Sequence, residues 1–134
     1  MADIDLRIAE AEAALLTLDD AIGQEARSLL ERDGMILRLI YTFEAVWKAA
    51  QHLLAEREGI ELASPNSVIR ASRRLGWLSD ADARAAFGIG SDRNLSIHMY
   101  RGQIGNEIEQ RLAGHAALLR RWLDALKERA AGDT

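Results

Sequence analysis

Hydrophobic residues recur every three or four positions through most of the chain, and no segment shows the two-residue alternation of a half-exposed strand. The first such stripe predicts a helix over about residues 4–30, followed by a turn at Arg32-Asp33-Gly34. The strongest stripe predicts a second long helix over about residues 35–57, which Gly59 is placed to end. A last stripe predicts a third long helix over about residues 103–129.

Two shorter helices are predicted between the second and the last of these. In Ser64-Pro65-Asn66 the serine suits the N-cap and the proline suits the first helical position, and Gly76 then ends the helix. Ser79 begins the next helix, with Asp82 as a capping-box partner three residues later. The chain is therefore predicted to fold as one all-α domain over residues 1–134, an up-and-down bundle of about five helices.

Two glycines divide the helical pattern just before a short polar stretch. Gly88 and Gly90 favour a break in the helix, because glycine weakens a helix interior. Ser91 or Asp92 would then cap a fresh turn that carries the octapeptide R-N-L-S-I-H-M-Y, which ends at Tyr100. The octapeptide places an arginine, an asparagine, a histidine and a tyrosine close together in a chain of otherwise ordinary helical composition.

The composition excludes several kinds of site. The 134 residues include no cysteine, which excludes disulfides, thiolate metal sites and a cysteine nucleophile. His52, His98 and His115 lie far apart and lack the spacing of zinc ligands, so we expect neither a metal nor a cofactor. The net charge of −4 argues against a long nucleic-acid-binding surface but allows a small basic cleft that acts on one phosphodiester.

The location and the assembly of the chain are also predicted. No apolar run approaches the ~20 residues needed to span a bilayer, and the acidic N-terminal sequence M-A-D-I-D-L-R differs from a basic secretory signal. We therefore expect a soluble cytoplasmic protein without membrane contact. Long amphipathic helices in so small a chain leave apolar surface for a partner, which favours a homodimer.

Two groups of charged residues outside the octapeptide are candidates for binding. Arg70, Arg73 and Arg74 share one helical face, which suits a phosphate or a partner's carboxylates. The more ordinary interpretation is a set of solvated arginines whose stems cover apolar neighbours. Glu44 and Lys48 form an acid-before-base pair on one helix, and that segment is most simply structural.

The octapeptide contains the parts of a metal-independent ribonuclease. The imidazole of His98 can take the proton from a ribose 2′-hydroxyl, and the guanidinium of Arg93 can stabilise charge on the phosphate. Asn94 shares a helical face with His98 and can orient its ring. Arg93 and His98 lie ~140° apart around a straight helix, so they converge only if the helix bends or a second copy supplies the matching group. From the spacing alone, the more ordinary interpretation is a helix-terminal histidine in a structural hydrogen bond beside a surface arginine, since short motifs match by chance.

The octapeptide also resembles a known signature. R-N-L-S-I-H-M-Y has the R-N-x3-H-x-Y form of the R-x4–6-H motif of the HEPN superfamily. Residues 41–54 are similar to the F-E-x-x-W-K helix of small HEPN proteins called nucleotidyltransferase substrate-binding proteins, or HEPN toxins of HEPN/MNT pairs. Residues 63–78 resemble the S-P-x-x-x-I-R segment of that family, and the likeness covers about residues 30–110.

This resemblance implies a HEPN-like, homodimeric helical bundle in which two R-x4-H motifs meet in a cleft across the dimer. It implies a metal-independent endoribonuclease that acts on RNA, with Arg93 and His98 as catalytic residues and Asn94 and Asp92 in support. Tyr100 matches the tyrosine that a partner minimal nucleotidyltransferase (the antitoxin, encoded nearby) modifies with AMP to silence such toxins.

Two other functions remain open at this point. The chain can be a non-catalytic subunit that binds nucleotide or substrate for a separate nucleotidyltransferase, or a helical dimerisation module without activity. It lacks the strand-borne carboxylates with which a nucleotidyltransferase holds Mg²⁺, so it is not predicted to be that enzyme itself. Relatives run a continuous helix into the octapeptide, whereas Gly88 and Gly90 precede it here, and the predicted break would tilt Arg93 relative to His98.

Overall fold

The computed structural model describes residues 2–24 and 27–132, and every regular element in this part of the chain is a helix. The all-α prediction is therefore confirmed. In chain order the elements are α1 (Ala2–Ile22), α2 (Leu29–Glu58), α3 (Pro65–Arg74), α4 (Asp80–Leu95), one 3₁₀ turn (Ser96–His98) and α5 (Gly102–Ala131).

The three long helices α1, α2 and α5 pack against one another and enclose most of the core. Large, fully buried side chains come from each of them, among them Leu15 of α1, Phe43 of α2 and Trp122 of α5. Helices α3 and α4 pack on each other, and they also contact α2 and α5 respectively. The result is the predicted helical bundle, and α4 carries the start of the octapeptide.

Most of the predicted helix ends are confirmed. Gly59, at the end of α2, has φ +68° and Gly76, after α3, has φ +78°, the left-handed conformation that glycine adopts without strain. The Ser64 hydroxyl accepts a hydrogen bond from the backbone three residues later, with Pro65 in the first turn of α3. Ser79 caps α4 in the same way.

The beginning of α5 also agrees with its prediction, since the observed helix starts one residue earlier than expected. The Asp82 carboxylate, expected to complete a capping box at α4, instead binds Arg121 of α5, with 2.9 Å between Oδ1 and Nη2. This acid therefore joins α4 to α5.

The junction between α1 and α2 differs from the prediction. Helix α1 ends at Ile22 instead of near residue 30, and α2 begins at Leu29, so Arg32-Asp33-Gly34 lies inside α2 and forms no turn. The reason is a complete capping box, in which Ser28 and Glu31 exchange side-chain-to-backbone hydrogen bonds and start the helix early. Residues 25 and 26, which the predicted first helix crossed, lie outside the described part of the chain.

The break predicted at Gly88 and Gly90 was wrong, because α4 runs through both glycines and neither has a positive φ. One face of α4 is buried, and it consists of Ala83, Ala86, Ile89 and Asp92. Burial of that face outweighs the ~1 kcal/mol by which each glycine weakens a helix. Ser91 and Asp92 consequently cap no new turn.

Candidate functional site

The octapeptide crosses the end of α4. Arg93 and Asn94 belong to the last turn of α4, whereas His98 ends the 3₁₀ turn and Tyr100 lies in the connection to α5. The Ser96 hydroxyl donates a 2.6 Å hydrogen bond to the Arg93 carbonyl where the helix type changes. Since α-helix gives way to 3₁₀ turn, Arg93 and His98 are not two positions on one straight helix.

Arg93 is held by α2. Its Nη1 donates to Glu44 Oε1 at 2.8 Å, and its guanidinium carbon lies 5.8 Å from the centre of the Phe43 ring. The other carboxylate oxygen of Glu44 accepts a 3.1 Å hydrogen bond from Trp47 Nε1. Among the described residues only Nη1 of this guanidinium is engaged, so its other N–H donors can bind an anion.

Glu44 belongs to the candidate site through Arg93, although its sequence spacing predicts only a structural pair with Lys48. Its expected partner, Lys48, lies 4.0 Å away, whereas Arg93 lies 2.8 Å away. The spacing of Glu44 and Trp47 in the F-E-x-x-W-K segment was visible in the sequence. The partner in α4 was not, because it lies 49 positions away and periodicity reports only local neighbours.

His98 has a partly exposed imidazole that makes no hydrogen bond through its ring to any residue in the described ranges. The ring lies edge-on to Tyr100, with 6.0 Å between the centroids. Asn94 is exposed and does not bond to this ring, because the α-helical spacing that would align the two side chains ends at Leu95. Support of His98 by Asn94 therefore stays a prediction.

Tyr100 is 77% exposed, and the Arg101 guanidinium carbon lies 5.8 Å from the centre of its ring. Ile97, three residues earlier, is 75% exposed. The phenol is therefore accessible from solvent, and the isoleucine adds apolar surface beside the 3₁₀ turn.

Asp92 ties the end of α4 to α5. Its buried carboxylate accepts hydrogen bonds from Arg111 Nε at 2.8 Å and Nη2 at 2.6 Å, and lies 2.7 Å from His115 Nε2. Burial raises the pKa of Asp92, but the hydrogen bonds from Arg111 and His115 lower it more, so the net shift is downward. Arg111 and His115 hold Asp92 at the end of α4, and its support of catalysis stays a prediction.

Arg32 of α2 holds the start of α5, directly after the octapeptide. It is buried, and its Nη1 donates to Asn106 Oδ1 at 2.9 Å while its Nε and Nη2 bind Asp33. Gly105 makes room for it, since a Cβ at that position would lie 2.5 Å from the guanidinium carbon. A side chain at position 105 would therefore displace the Arg32 guanidinium from this place.

A cleft of about 350 Å³ opens beside Arg93, where α3 begins alongside the second half of α4. Its walls include Pro65 and Asn66 of α3, and Phe87, Gly90, Arg93 and Asn94 of α4. The S-P segment and the octapeptide meet in this cleft, and the F-E-x-x-W-K segment holds its arginine through Glu44. The three segments that carry the family resemblance therefore converge on one place in the fold.

Arg70, Arg73 and Arg74 are exposed on α3, and none of them lines the cleft. Arg73 Nε lies 4.0 Å from Asp80, and within the described ranges Arg70 and Arg74 form no ion pair. The structure shows no contact between these arginines and the octapeptide, and their binding of phosphate or a partner stays a prediction.

The polar groups around the cleft suit anions. Arginine and amide nitrogens are hydrogen-bond donors, and the guanidinium carries a positive charge. Within residues 2–24 and 27–132, no cluster of three or more histidine, aspartate or glutamate side chains is arranged to hold a metal ion. In the same part of the chain, no helix has the length and apolar character needed to cross a membrane.

Comparisons with known structures agree with this arrangement. A protein of Thermus thermophilus with a known crystal structure is 46% identical, with 87% of this chain and 98% of that chain aligned at a TM-score of 0.83. A chain of a mutant MntA-HpeT toxin–antitoxin complex is 16% identical, with 95% and 98% aligned at a TM-score of 0.79. A chain from the complex of a tri-AMPylated Shewanella oneidensis HEPN toxin with its MNT antitoxin is 16% identical, with 92% and 96% aligned at a TM-score of 0.76.

At the level of sequence, residues 6–128 match the family described as nucleotidyltransferase substrate binding protein like. No curated protein matches the chain significantly. The family match spans α2, α3, α4 and the octapeptide, and the structural matches share the fold that places them together. The chain therefore belongs to the nucleotidyltransferase substrate binding protein like family and has the fold of the HEPN toxins.

Proposed function

We propose that this protein is the toxin of a HEPN/MNT pair and a metal-independent endoribonuclease. One observation carries the proposal: Arg93, with free N–H donors, lines an open cleft, and His98, with an unengaged imidazole, follows five residues later in the same segment. A guanidinium that binds phosphate and an imidazole that moves a proton are sufficient groups for cleaving RNA at a ribose 2′-hydroxyl.

The proposed reaction follows from these two groups. The His98 imidazole takes the 2′-hydroxyl proton as O2′ attacks the adjacent phosphorus. Arg93 binds the non-bridging oxygens and stabilises the charge that builds up on them. The bond to the 5′-oxygen of the next nucleotide breaks, and that oxygen takes a proton from an imidazolium or water. The products are a 2′,3′-cyclic phosphate and a 5′-hydroxyl.

A second copy of the chain completes the proposed site. Arg93 turns toward α2 and His98 toward Tyr100, and no hydrogen bond or ion pair within the described ranges joins the arginine to the histidine. Exposed apolar side chains lie nearby, namely Ile97 and Tyr100 after α4 and Tyr41 one turn before the α2 residue that binds Arg93. Burying this surface in a homodimer would bring two octapeptides together.

We further propose that a minimal nucleotidyltransferase encoded nearby silences the toxin by modifying Tyr100. The similar Shewanella oneidensis HEPN toxin is AMPylated and bound to an MNT antitoxin. In the proposed transfer, the Tyr100 phenol oxygen attacks the α-phosphorus of ATP, pyrophosphate leaves, and the phenol proton passes to solvent. The added AMP would carry bulk and negative charge beside His98, whose ring lies 6.0 Å from that of Tyr100.

The family description favours a second candidate, a non-catalytic subunit that binds substrate or nucleotide for a separate nucleotidyltransferase. In that case Arg93 would bind the phosphate of the ligand, and His98 would be dispensable. Cleavage of RNA separates the two candidates.

The experiment incubates RNA, in the presence of EDTA, with the wild type and the variants Arg93→Ala, His98→Ala and His52→Ala. His52 is the matched control, since it pairs with Glu56 on α2 and has no contact with the octapeptide. We expect the first two substitutions to slow cleavage at least about a hundredfold and His52→Ala to leave it unchanged. Equal cleavage by the wild type and His98→Ala refutes the ribonuclease, and phosphate-ligand binding without cleavage supports the second candidate.

Modification is tested by co-expression with the neighbouring nucleotidyltransferase and intact-mass measurement. We expect the wild type and Tyr41→Phe to gain mass in whole AMP units and Tyr100→Phe to gain none. Tyr41 is the matched control because it is the other tyrosine of the chain and is also exposed. A gain that persists in Tyr100→Phe would contradict the assignment.

A further inference from the structure

We propose that the cleft beside Arg93 seats one nucleotide of the RNA strand, with its base against Phe87 and Gly90 and its phosphate at Arg93. This inference rests on the proposed function and assigns the part of the substrate that the cleft binds. The cleft volume of about 350 Å³ lies within the range of small-ligand sites. Its charge, its polar groups and one glycine each point to a nucleotide.

The charge of the cleft matches a single phosphodiester. Among the residues that line it, Arg93 is the one charged side chain, and no carboxylate faces the opening. Glu44 contacts Arg93 from α2 and is not part of the lining. Because Glu44 already pairs with this guanidinium, its remaining N–H donors suit the single negative charge of an internal phosphate of RNA, whereas a triphosphate would leave most of its charge unpaired.

The remaining walls suit a base. Phe87 is partly exposed and provides an aromatic ring on which a base can stack. Asn66 and Asn94 are exposed, and within the described ranges neither side chain makes a hydrogen bond. An amide offers both a donor and an acceptor, which is what the edge of a base requires.

Gly90 marks the point where the ligand lies closest to the backbone. Its φ is not positive, and a Cβ there would meet nothing nearer than a Phe43 ring carbon at 4.0 Å, so neither conformation nor packing requires glycine. Alanine would strengthen α4. Glycine at this position leaves the cleft wall without a side chain, so a ligand can lie closer to the backbone of α4. Gly88, by contrast, does not line the cleft.

Binding of an uncleavable RNA tests this subsite separately from nuclease activity. The probe is a fluorescein-labelled 2′-O-methyl tetraribonucleotide, which lacks the attacking 2′-hydroxyl, and its Kd is measured by fluorescence anisotropy. Gly90→Ala should raise the Kd about tenfold, because its methyl group overfills the cleft, while raising Tm by about 3 °C. Gly114→Ala, at an exposed glycine of α5 with open space around it, should raise Tm similarly and leave the Kd unchanged.

The outcomes separate the subsite from the nuclease. Equal Kd values for the wild type and Gly90→Ala, or no binding by the wild type, overturn the subsite even if unmodified RNA is cleaved. Binding that Gly90→Ala weakens, without any cleavage of unmodified RNA, supports the subsite and refutes the nuclease. Asn66→Ala gives a second measurement, with a raised Kd and an unchanged Tm expected. Competition with AMP then shows whether a free nucleotide or only the strand occupies the cleft.

Discussion

The Glu44 carboxylate lies 2.8 Å from Nη1 of Arg93, across 49 positions of sequence. The neighbouring residue, Asp92, is bound from the other side by α5 through Arg111 and His115. The last turn of α4 is therefore tied to two long helices, while Tyr100 beyond it is exposed. Arg93, the candidate for phosphate binding, is therefore held in place, whereas Tyr100, the candidate for modification, is accessible.

Glu44 is predicted to position Arg93. Glu44→Ala should reduce RNA cleavage at least about tenfold, because a guanidinium without its anchor is no longer aligned with the phosphate. Tm should change little, since the pair is partly exposed and contributes about 0.5 kcal/mol. Glu44→Gln keeps an acceptor and should restore most of the activity, and Lys48→Ala is the matched control. Wild-type cleavage by Glu44→Ala would exclude the positioning role.

Asp92 is predicted to stabilise the end of α4. Asp92→Asn should lower the free energy of unfolding by about 2 kcal/mol, because a buried amide replaces a carboxylate that accepts charge-assisted hydrogen bonds. Urea denaturation measures this loss. Asp82→Asn, which weakens the more exposed pair with Arg121, should lose about 0.5 kcal/mol or less. If both variants lowered the free energy of unfolding equally, the buried hydrogen bonds of Asp92 would contribute no more than the exposed pair of Asp82.

Gly105 is predicted to be required by Arg32. Gly105→Ala should lower stability by about 2 kcal/mol, because the new methyl group displaces a buried guanidinium from its partners. Gly114→Ala on the same helix should raise stability instead. In an Arg32→Ala background the loss caused by Gly105→Ala should disappear, and thermal unfolding of the four proteins measures this coupling. Additive effects would contradict the proposed contact.

Ile97 is predicted to lie in the homodimer interface. Ile97→Asp should convert the dimer to a monomer and abolish cleavage, because a buried carboxylate without a partner disfavours association. Light scattering coupled to gel filtration gives the mass. Leu16→Asp, at a similarly exposed leucine of α1, should leave the dimer intact. A wild-type monomer, or a dimer that survives Ile97→Asp, would exclude this interface.

Glu12 is predicted to make the free energy of unfolding depend on pH in the acidic range. Hydrogen bonds from Arg120 and Lys127 of α5 lower its pKa from 4.5 to about 2. A lowered pKa in the folded state means that the stabilisation is complete above pH 4.5 and is lost as the pH falls toward 2. At pH 7, Glu12→Gln should lower the free energy of unfolding by about 1 kcal/mol, less than the pKa shift alone implies because solvent screens this partly exposed group. Denaturation at several pH values should show this difference vanish near pH 2, and a constant difference would contradict the linkage.

Features of the fold that depend only on neighbouring residues can be predicted from the sequence. The helical class follows from a 3.6-residue pattern, and the ends at Gly59 and Ser64 follow from capping chemistry within one turn. The octapeptide and the two other segments that resemble the family, residues 41–54 and 63–78, can also be recognised in the sequence, because each is a short contiguous motif. The start of α2 also follows from a local capping box of Ser28 and Glu31, but that box lies at the end of the apolar stripe that predicts one helix over residues 4–30.

The relative positions of these segments depend on contacts between helices that are distant in the sequence. Burial of one face of α4 against the bundle keeps the helix continuous through Gly88 and Gly90, which local propensity opposes. The partners of Arg93 and Asp92 come from other helices, 49 and 19 positions away, and no sequence spacing encodes such pairs. The cleft exists only because α3 begins beside the end of α4. The candidate residues can thus be recognised in the sequence, but their relative positions depend on how the helices pack.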